Sequence, residues 1–436
     1  MQFLFLLFFF TAKLLCAQKL SHDSVLKLAQ PYAGSHTAGI DTKTLDGKIM
    51  CGYQGWFNAE GDGAQNGWRH YGNKKLAPGN CTFEYWPDLS EFTNEEKFPT
   101  KFKHADGSTA SLFSSYNKQT VERHFKWMKD YGIDGVFLQR FGVGIRSPKG
   151  LRNRNKVTSN VQHGANKYGR SWANMYDLSG LKKGQIKSVI MEDWKMLVDK
   201  MKILEDKSYQ HHNGKPVISI WGIGFNDGRD YTLDECDELI DWLKNDPKYG
   251  GLTVMIGVPY FWRDLHRDAV KDKKLHNIIK KADIISPWAV GRYGAGKNTI
   301  NASKHLINKT AKYDLEWTKE NKLDYLPVIF PGFSWVNLKK FHGEKATFNH
   351  IPRLKGTFFW EQAATHVNNG VNMLYVAMFD EIDEGTAIFK CSNNPPVGES
   401  QFLTYEGLKS DHYLWLTGKM KKMLNEKKAL AIPLRK

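Results

Sequence analysis

The sequence has few cysteines and none of the short motifs that mark common metal and nucleophile sites. Only 5 of its 436 residues are cysteine, no two of them form Cys-x-x-Cys, and no His-Glu-x-x-His segment is present. This spacing argues against a structural zinc site and against a zinc protease. A Gly-x-Ser-x-Gly elbow is also missing, so a serine hydrolase has no support. We expect no metal ion and no organic cofactor.

Long apolar runs are lacking everywhere except at the amino terminus. Residues 1–10 are almost all Leu and Phe, but a helix that spans a bilayer needs about 20 such residues. A cleavage-like segment follows at residues 14–18, so we expect 1–17 to be a signal peptide and 18–436 to be exported to the periplasm, the medium or the cell surface. Cys16 offers lipid attachment as an alternative, although Leu15 stands where a small residue is expected. No transmembrane segment is expected.

An excess of acidic residues is also lacking, because the formal net charge is +16. Hydrophobic residues make up 41% and aromatic residues 13% of the chain, which excludes a disordered chain. The missing 20–50-residue repeat argues against a solenoid or a propeller. The basic charges are scattered and no nucleic-acid module is present, so we expect no nucleic-acid partner. An acidic glycan would suit the charge, while a basic surface that keeps the chain soluble is the simpler interpretation.

What the sequence does contain is an alternation of short apolar strands with amphipathic helices. Near-continuous apolar runs are typical of a parallel sheet that is covered on both faces. Amphipathic helices are predicted between them. One helix ends before Gly132, and another begins with a Thr232–Glu235 capping box. Later helices are predicted at about 302–320, 355–369 and 413–425. The predicted strands are 49–57, 110–115, 133–141, 216–222, 252–258, 283–288, 326–330 and 373–379.

Eight strands in this alternation predict an α/β fold, a (β/α)8 barrel, that forms a single domain over residues 18–436. Long segments at about 58–107 and 142–188 predict loops after strands one and three that overhang the site. Placed over a cleft, the basic residues of the second segment would hold sulfate or carboxylate groups, while a solvated charged face is the simpler interpretation. These residues are Arg146, Lys149, Arg152, Arg154 and Lys156. A doubly wound open sheet is the alternative fold.

Aromatic and polar residues recur where these strands end, which is the end of a barrel that carries the chemistry. Flat aromatic rings provide apolar surfaces on which sugar rings can stack. We therefore expect a carbohydrate substrate, neutral or anionic. The expected substrate contacts are Tyr53, Trp56, Asp88, Gln139, Arg140, Trp221, Trp335 and Asp380.

Four acids are crowded directly after the last predicted strand, at Asp380, Glu381, Asp383 and Glu384. Carboxylates at such short spacing cannot all ionise without cost, so at least one pKa should be raised. Cleavage of a glycosidic bond needs such an asymmetric pair, one protonated acid and one carboxylate. Glu381 and Glu384 are therefore the predicted catalytic pair.

Residues 379–386 read Phe-Asp-Glu-Ile-Asp-Glu-Gly-Thr, which resembles the F-N-E-W-H-E-G-T motif of glycoside hydrolase family 99. That family contains endo-acting α-mannosidases and α-mannanases. Residues 128–135 resemble its segment before strand three, Arg353, Gly356 and Phe359-Trp360 resemble the helix before strand eight, and residues 85–88 are similar to the broader family 71/99-like group.

The resemblance implies a retaining mechanism through a 1,2-anhydro sugar. Glu381 would take the proton of the substrate 2-hydroxyl, and Glu384 would act as general acid and then as general base. Asp380, Ile382 and Asp383 depart from the motif, which leaves mannose specificity open. The alternatives are an inverting α-glucanase of the family 71 type and a non-catalytic glycan-binding surface protein. The presence of both motif glutamates argues against the second alternative.

Overall fold

The structure is a computed structural model that describes residues 20–294 and 296–435, without the side chain of Lys297. The expected signal peptide at 1–17 and the lipid-attachment alternative at Cys16 lie outside the described residues. None of the helices in the described ranges is long and apolar enough to cross a membrane.

Nine of twelve strands in the described residues form one parallel sheet. In chain order the strands are β1 (Ile49–Tyr53), β2 (Phe98–Lys103), β3 (Thr109–Leu112), β4 (Gly135–Phe141), β5 (Ser171–Asp177), β6 (His211–His212), β7 (Lys215–Trp221), β8 (Thr253–Pro259), β9 (Ile284–Trp288), β10 (Asp324–Tyr325), β11 (Val328–Ile329) and β12 (Leu374–Val376). The parallel order is β10-β9-β8-β7-β5-β4-β1-β12-β11, and β6 adds an antiparallel pair to β7.

The short strands β10 and β11 close this sheet into a barrel. Only Leu326 and Pro327 separate them, yet β10 pairs with β9 and β11 pairs with β12 at the other end of the sheet. Pro327 lacks an N–H group and so interrupts the ladder, while its carbonyl oxygen still accepts a hydrogen bond from the Tyr375 N–H at 3.0 Å. Taken as one interrupted strand, β10–β11 completes eight, and the predicted (β/α)8 barrel is confirmed.

Eleven helices lie in the described residues. They are α1 (His22–Leu28), α2 (Lys118–Tyr131), α3 (Gly142–Ile145), α4 (Pro148–Tyr168), α5 (Glu192–Asp199), α6 (Leu233–Asn245), α7 (Lys274–Ile279), α8 (Thr299–Glu320), α9 (Val336–Phe341), α10 (Thr357–Asn368) and α11 (His412–Glu426). Helix α2 ends at Gly132 with a φ of +73°, and α6 begins with the Thr232–Glu235 capping box, both as predicted. The later predicted helices correspond to α8, α10 and α11 within about three residues at each end.

One predicted barrel strand is wrong. Residues 110–115 overlap β3, which pairs antiparallel with β2 in a two-stranded hairpin outside the barrel. Its place is taken by β5, whose polar Ser171, Asn174 and Asp177 interrupt the apolar run and hid it in the sequence. All seven residues of β5 are nevertheless buried, because both faces of a barrel strand are covered.

The finding of β5 also corrects one of the two predicted long loops. The segment 142–188 is mainly α4 and β5, an ordinary helix and strand of the barrel, and not an overhang. The segment 58–107 agrees with the prediction, because it leaves β1 at the carboxyl end and contains only short 3-10 turns and β2.

Candidate active site

The acid loop, residues 380–385, leaves the carboxyl end of the barrel just after β12 and is held by backbone hydrogen bonds. The N–H groups of Thr386 and Ala387 donate to the carbonyl oxygen of Glu381 at 3.1 and 2.8 Å. The Ser334 N–H donates to the Glu384 carbonyl oxygen at 3.0 Å. Backbone hydrogen bonds therefore hold the chain at both glutamates.

The side chain of Arg353 also holds the acid loop. Its Nη2 donates to the carbonyl oxygens of Gly385 and Ala387 at 2.8 and 2.7 Å. The guanidinium group lies 4.3 Å from the ring centre of Tyr85 and 4.5 Å from that of Tyr413. Cation–π contacts of this kind favour the charged group even where it is buried. Arg353 therefore stabilises the acid loop from a buried position.

The four acids of the loop have different surroundings. Asp380 is completely buried and accepts the N–H groups of Gln54 and Gly55 at 2.7 and 2.9 Å. Glu381 and Asp383 are 5% and 4% exposed. Glu384 is only partly buried and opens into a cleft. Asp380 thus ties the end of β1 to the loop, and Glu384 is the least buried of the four acids.

Burial and mutual repulsion raise the pKa values of these acids. Burial, together with the nearby Glu384 and Asp383 carboxylates, raises the pKa of Glu381 well above its usual range. Burial raises the pKa of Glu384 to about 7, although the positive charges of Lys339 and Arg292 act in the opposite direction. A carboxyl group with a pKa near 7 can give up and recover a proton at neutral pH.

Two clefts border the acid loop. Glu384 lines one of about 440 Å³ together with Trp288, Phe333 and Trp335. Asp383 lines the other, of about 520 Å³, which also includes His70 and Arg69. Asp383 and Glu384 therefore each line one of two spaces that have the size of a small-molecule site.

Four of the predicted substrate contacts lie at the barrel mouth or just beneath it. Trp335 lines the Glu384 cleft. Trp221 meets Trp288 edge to face at 5.3 Å between ring centres. Trp56 stacks on His70 at 3.9 Å, and Gln139 donates to the Tyr375 hydroxyl at 3.0 Å.

Asp380 stands in the acid loop itself but is buried, whereas three other predicted contacts do not face the clefts. The Tyr53 hydroxyl is paired with His124 Nδ1 of α2 at 2.8 Å. Arg140 is buried and donates twice to Asp193, at 2.6 Å each. Asp88 lines a separate depression beside Trp86. Successive side chains of a strand point to opposite faces, so Tyr53 and Arg140 are directed toward the helices.

The predicted basic overhang is likewise absent from the described lining of both clefts, because four of its five residues belong to α4. The buried Arg154 donates to the Gln54 carbonyl oxygen at 3.1 Å, and Arg152 donates to the Ala64 carbonyl oxygen at 2.8 Å. These two side chains support the chain after β1. Arg146 lines a different cavity, beside Gln185 and Asp193.

The Asp383 position shows how this chain departs from the motif it resembles. The motif has histidine there, and here the imidazole of His70 comes from the chain after β1, with Nδ1 3.4 Å from Asp383 Oδ2. Asp383 Oδ1 is buried and has no partner among the described residues. Burial lowers the pKa of His70 and raises that of Asp383, each well away from its usual value, so burial disfavours the charged form of both groups.

The sequence-based prediction missed Asp177, Trp288 and Arg292. Asp177 is the last residue of β5, and burial raises its pKa to about 6. Its negative charge adds to the effects that raise the pKa of Glu384. Asp177 was missed because its strand was missed, whereas Trp288 ends a strand that was predicted. Among the described residues, no group of three or more His, Cys, Asp or Glu side chains is arranged to hold a metal ion.

Comparison with known proteins gives structural matches only. No protein-family model matches the sequence, and neither does any curated protein. A structure of the family 99 endo-alpha-mannosidase from Bacteroides thetaiotaomicron is similar with a TM-score of 0.62 and 14% identity, over 88% of this chain and 99% of that chain. A structure of that enzyme with bis-tris propane gives the same TM-score and coverage at 15% identity.

A structure described as a glycoside hydrolase-like protein has a TM-score of 0.50 and 13% identity, over 93% of this chain and 99% of that chain. At such identities the likeness concerns the fold. The chain has the (β/α)8 fold of the family 99 endo-alpha-mannosidase structure, the family whose motif its acid loop resembles.

Proposed function

We propose that the protein is a glycoside hydrolase that cleaves a polysaccharide or a complex glycan with net retention. The observation that carries the proposal is the pair of glutamates in one rigid loop, of which Glu381 is buried and Glu384 opens into a cleft with aromatic walls. Different surroundings for two carboxyl groups are what acid and base roles require.

In the proposed reaction Glu381 accepts the proton of the substrate 2-hydroxyl, and that oxygen displaces the leaving group from the anomeric carbon. Glu384 donates its proton to the departing oxygen. Glu384 then takes a proton from the water molecule that opens the resulting 1,2-anhydro sugar, while Glu381 returns its proton to the 2-oxygen. Glu381 acts here in its ionised form. A carboxylate whose pKa is raised is the stronger base once it is ionised, which suits the removal of a proton from a sugar hydroxyl.

The test is product analysis on a panel of neutral and anionic polysaccharides with wild type, Glu381→Gln and Glu384→Gln. General acid–base catalysis contributes about 10²- to 10⁴-fold, so we expect each variant to lose at least about 10²-fold in rate. Glu316→Gln, an exposed carboxyl on α8, is the matched control and should keep full activity. Fresh products should have the anomeric configuration of the substrate, as read by NMR.

Unchanged hydrolysis by Glu384→Gln would overturn the assignment of roles. Inverted products would favour the family 71 type of mechanism. Binding of a glycan by wild type and both variants, with no product from any of them, would favour a glycan-binding protein.

The proposal includes export directed by residues 1–17. Fractionation of the native source followed by amino-terminal sequencing should find a chain that begins at Gln18. A lipid-modified amino terminus at Cys16 would instead indicate surface anchoring, and an intact residue 1 in the cytoplasmic fraction would contradict export.

A further inference from the structure

The cleft at Glu384 is lined by three basic side chains that the proposed acid–base roles do not use. Arg292, Lys345 and His350 line this cleft together with the aromatic side chains. Glu384 itself is the single acid among the described residues that line it. None of the three basic residues belongs to the segment 142–188, where the sequence had placed the basic contacts.

These basic groups differ in the acidic partners that they already have. Arg292 Nε donates to Asp268 at 2.6 Å, and the side chain remains 31% exposed. Lys345 and His350 have no acidic partner among the described residues, and Lys345 is exposed. The neighbouring Lys339 lies 4.4 Å from the ring centre of Trp335 and pairs with Glu344 at 2.7 Å. Lys345 and His350 are thus the basic side chains in the cleft that have no acidic partner.

Positive charges near the Glu384 carboxyl group work against its proposed role as a general acid. Lys339 and Arg292 both lower the pKa of Glu384, which favours loss of the proton that a general acid must hold. A neutral sugar would leave these charges in place, because it binds by stacking and by hydroxyl hydrogen bonds. An anionic group on the substrate would oppose their effect on Glu384, and it would form charge-assisted hydrogen bonds with the basic side chains of the cleft that have no acidic partner.

We propose that the Glu384 cleft binds a sugar residue that carries a carboxylate or a sulfate group, with its ring against Trp335 and Trp288 and its anion on Lys345 and His350. The proposal rests on the proposed glycoside hydrolase function and narrows its substrate to an anionic glycan. Carboxylate and sulfate share the chemistry of recognition, and the experiment below separates them.

The experiment measures binding of three small probes to the full chain by ligand-observed NMR at physiological ionic strength. The probes are methyl glucoside, methyl glucuronide and methyl glucoside 6-sulfate, which differ in the group at one carbon. We expect at least one anionic probe to bind about 10-fold more tightly than the neutral one, equivalent to about 1.4 kcal/mol. The anion that binds more tightly identifies the natural group.

The double variant Lys345→Gln/His350→Gln should lose this preference and keep the affinity for methyl glucoside. Lys319→Gln is the matched control, because Lys319 is exposed at the end of α8, on the opposite face of the barrel. Equal affinity for all three probes, or a preference that survives in the double variant, would overturn the proposal. Because binding is measured without cleavage, failure here leaves the test of Glu381 and Glu384 on the polysaccharide panel unaffected.

Discussion

At the scale of single residues, two glutamates three positions apart are made different by their surroundings. The Glu381 side chain is almost completely buried. The Glu384 side chain reaches a cleft, where the positive charges of Lys339 and Arg292 partly offset the rise in pKa that burial causes. Residue type alone could not assign acid and base, because both side chains have the same chemistry in water. The proposed roles come from the motif that the acid loop resembles, and the surroundings show that the two carboxyl groups are not equivalent.

The pH dependence of the reaction follows from the proton on Glu384. Its pKa is raised to about 7, and only the protonated form can act as the acid, so kcat/KM should fall about tenfold per pH unit above pH 7. Lys339→Gln removes a positive charge that lowers this pKa, so its alkaline limb should move to higher pH. Rate profiles from pH 4 to 9 on a cleaved substrate measure both, with Lys319→Gln as the control. A Lys339→Gln limb that moves to lower pH would contradict the electrostatic account.

At the scale of elements, the geometry of the acid loop depends on one close backbone approach. Gly385 has a φ of +68°, and a Cβ atom there would lie 3.0 Å from the Ser334 nitrogen and 3.1 Å from its oxygen. Gly107 has a φ of +83°, and a Cβ atom at Gly107 would lie in open space. The two glycines therefore share the backbone strain of a substitution and differ in the clash.

Gly385→Ala should disable the site, whereas Gly107→Ala should only weaken the fold. Each substitution places a side chain in the left-handed region, which costs about 1–2 kcal/mol, measurable as the free energy of unfolding in urea. Displacement of the catalytic groups by about 1 Å can cost about 10²-fold in rate, so we expect that loss for Gly385→Ala alone. Equal rates for the two variants would show that the Ser334 contact does not position the loop.

Elements with simple patterns were predictable from the sequence, and elements with mixed patterns were not. Helix α2 and the capping box of α6 follow from local chemistry, because a terminal Gly and a Thr–Glu pair act within one turn. Strand β5 has polar residues whose burial is decided by distant neighbours. Strand β3 was recognised as extended chain, but its antiparallel pairing with β2 depends on a partner that local sequence does not specify.

At the scale of the whole molecule, the four described cysteines are free and buried, namely Cys51, Cys81, Cys236 and Cys391. Burial raises the pKa of Cys81 to about 11 and that of Cys391 to about 12. Because the thiolate is the reactive form, the native thiols should be inert.

Stability should therefore not depend on a reducing agent. We expect these four cysteines to resist a thiol reagent in the native protein and to react fully in guanidinium chloride, as read by peptide mass spectrometry. The melting temperature should be the same with and without dithiothreitol. Labelling of the folded chain at Cys81, or a fall in melting temperature on reduction, would contradict the buried, unpaired arrangement.

The sequence by itself determined the barrel, most of its strands and helices, and the acid loop with its two glutamates, because periodicity and clustered acids are local properties. Only the tertiary structure decided which strand-end residues face the clefts, that Tyr53 and Arg140 turn toward the helices, and that Asp177, Trp288 and Arg292 stand near Glu384. Those outcomes depend on pairing and on side-chain direction between segments far apart in the chain. Charge and burial at the acid loop are likewise sums over distant neighbours, and they arise only when the barrel closes.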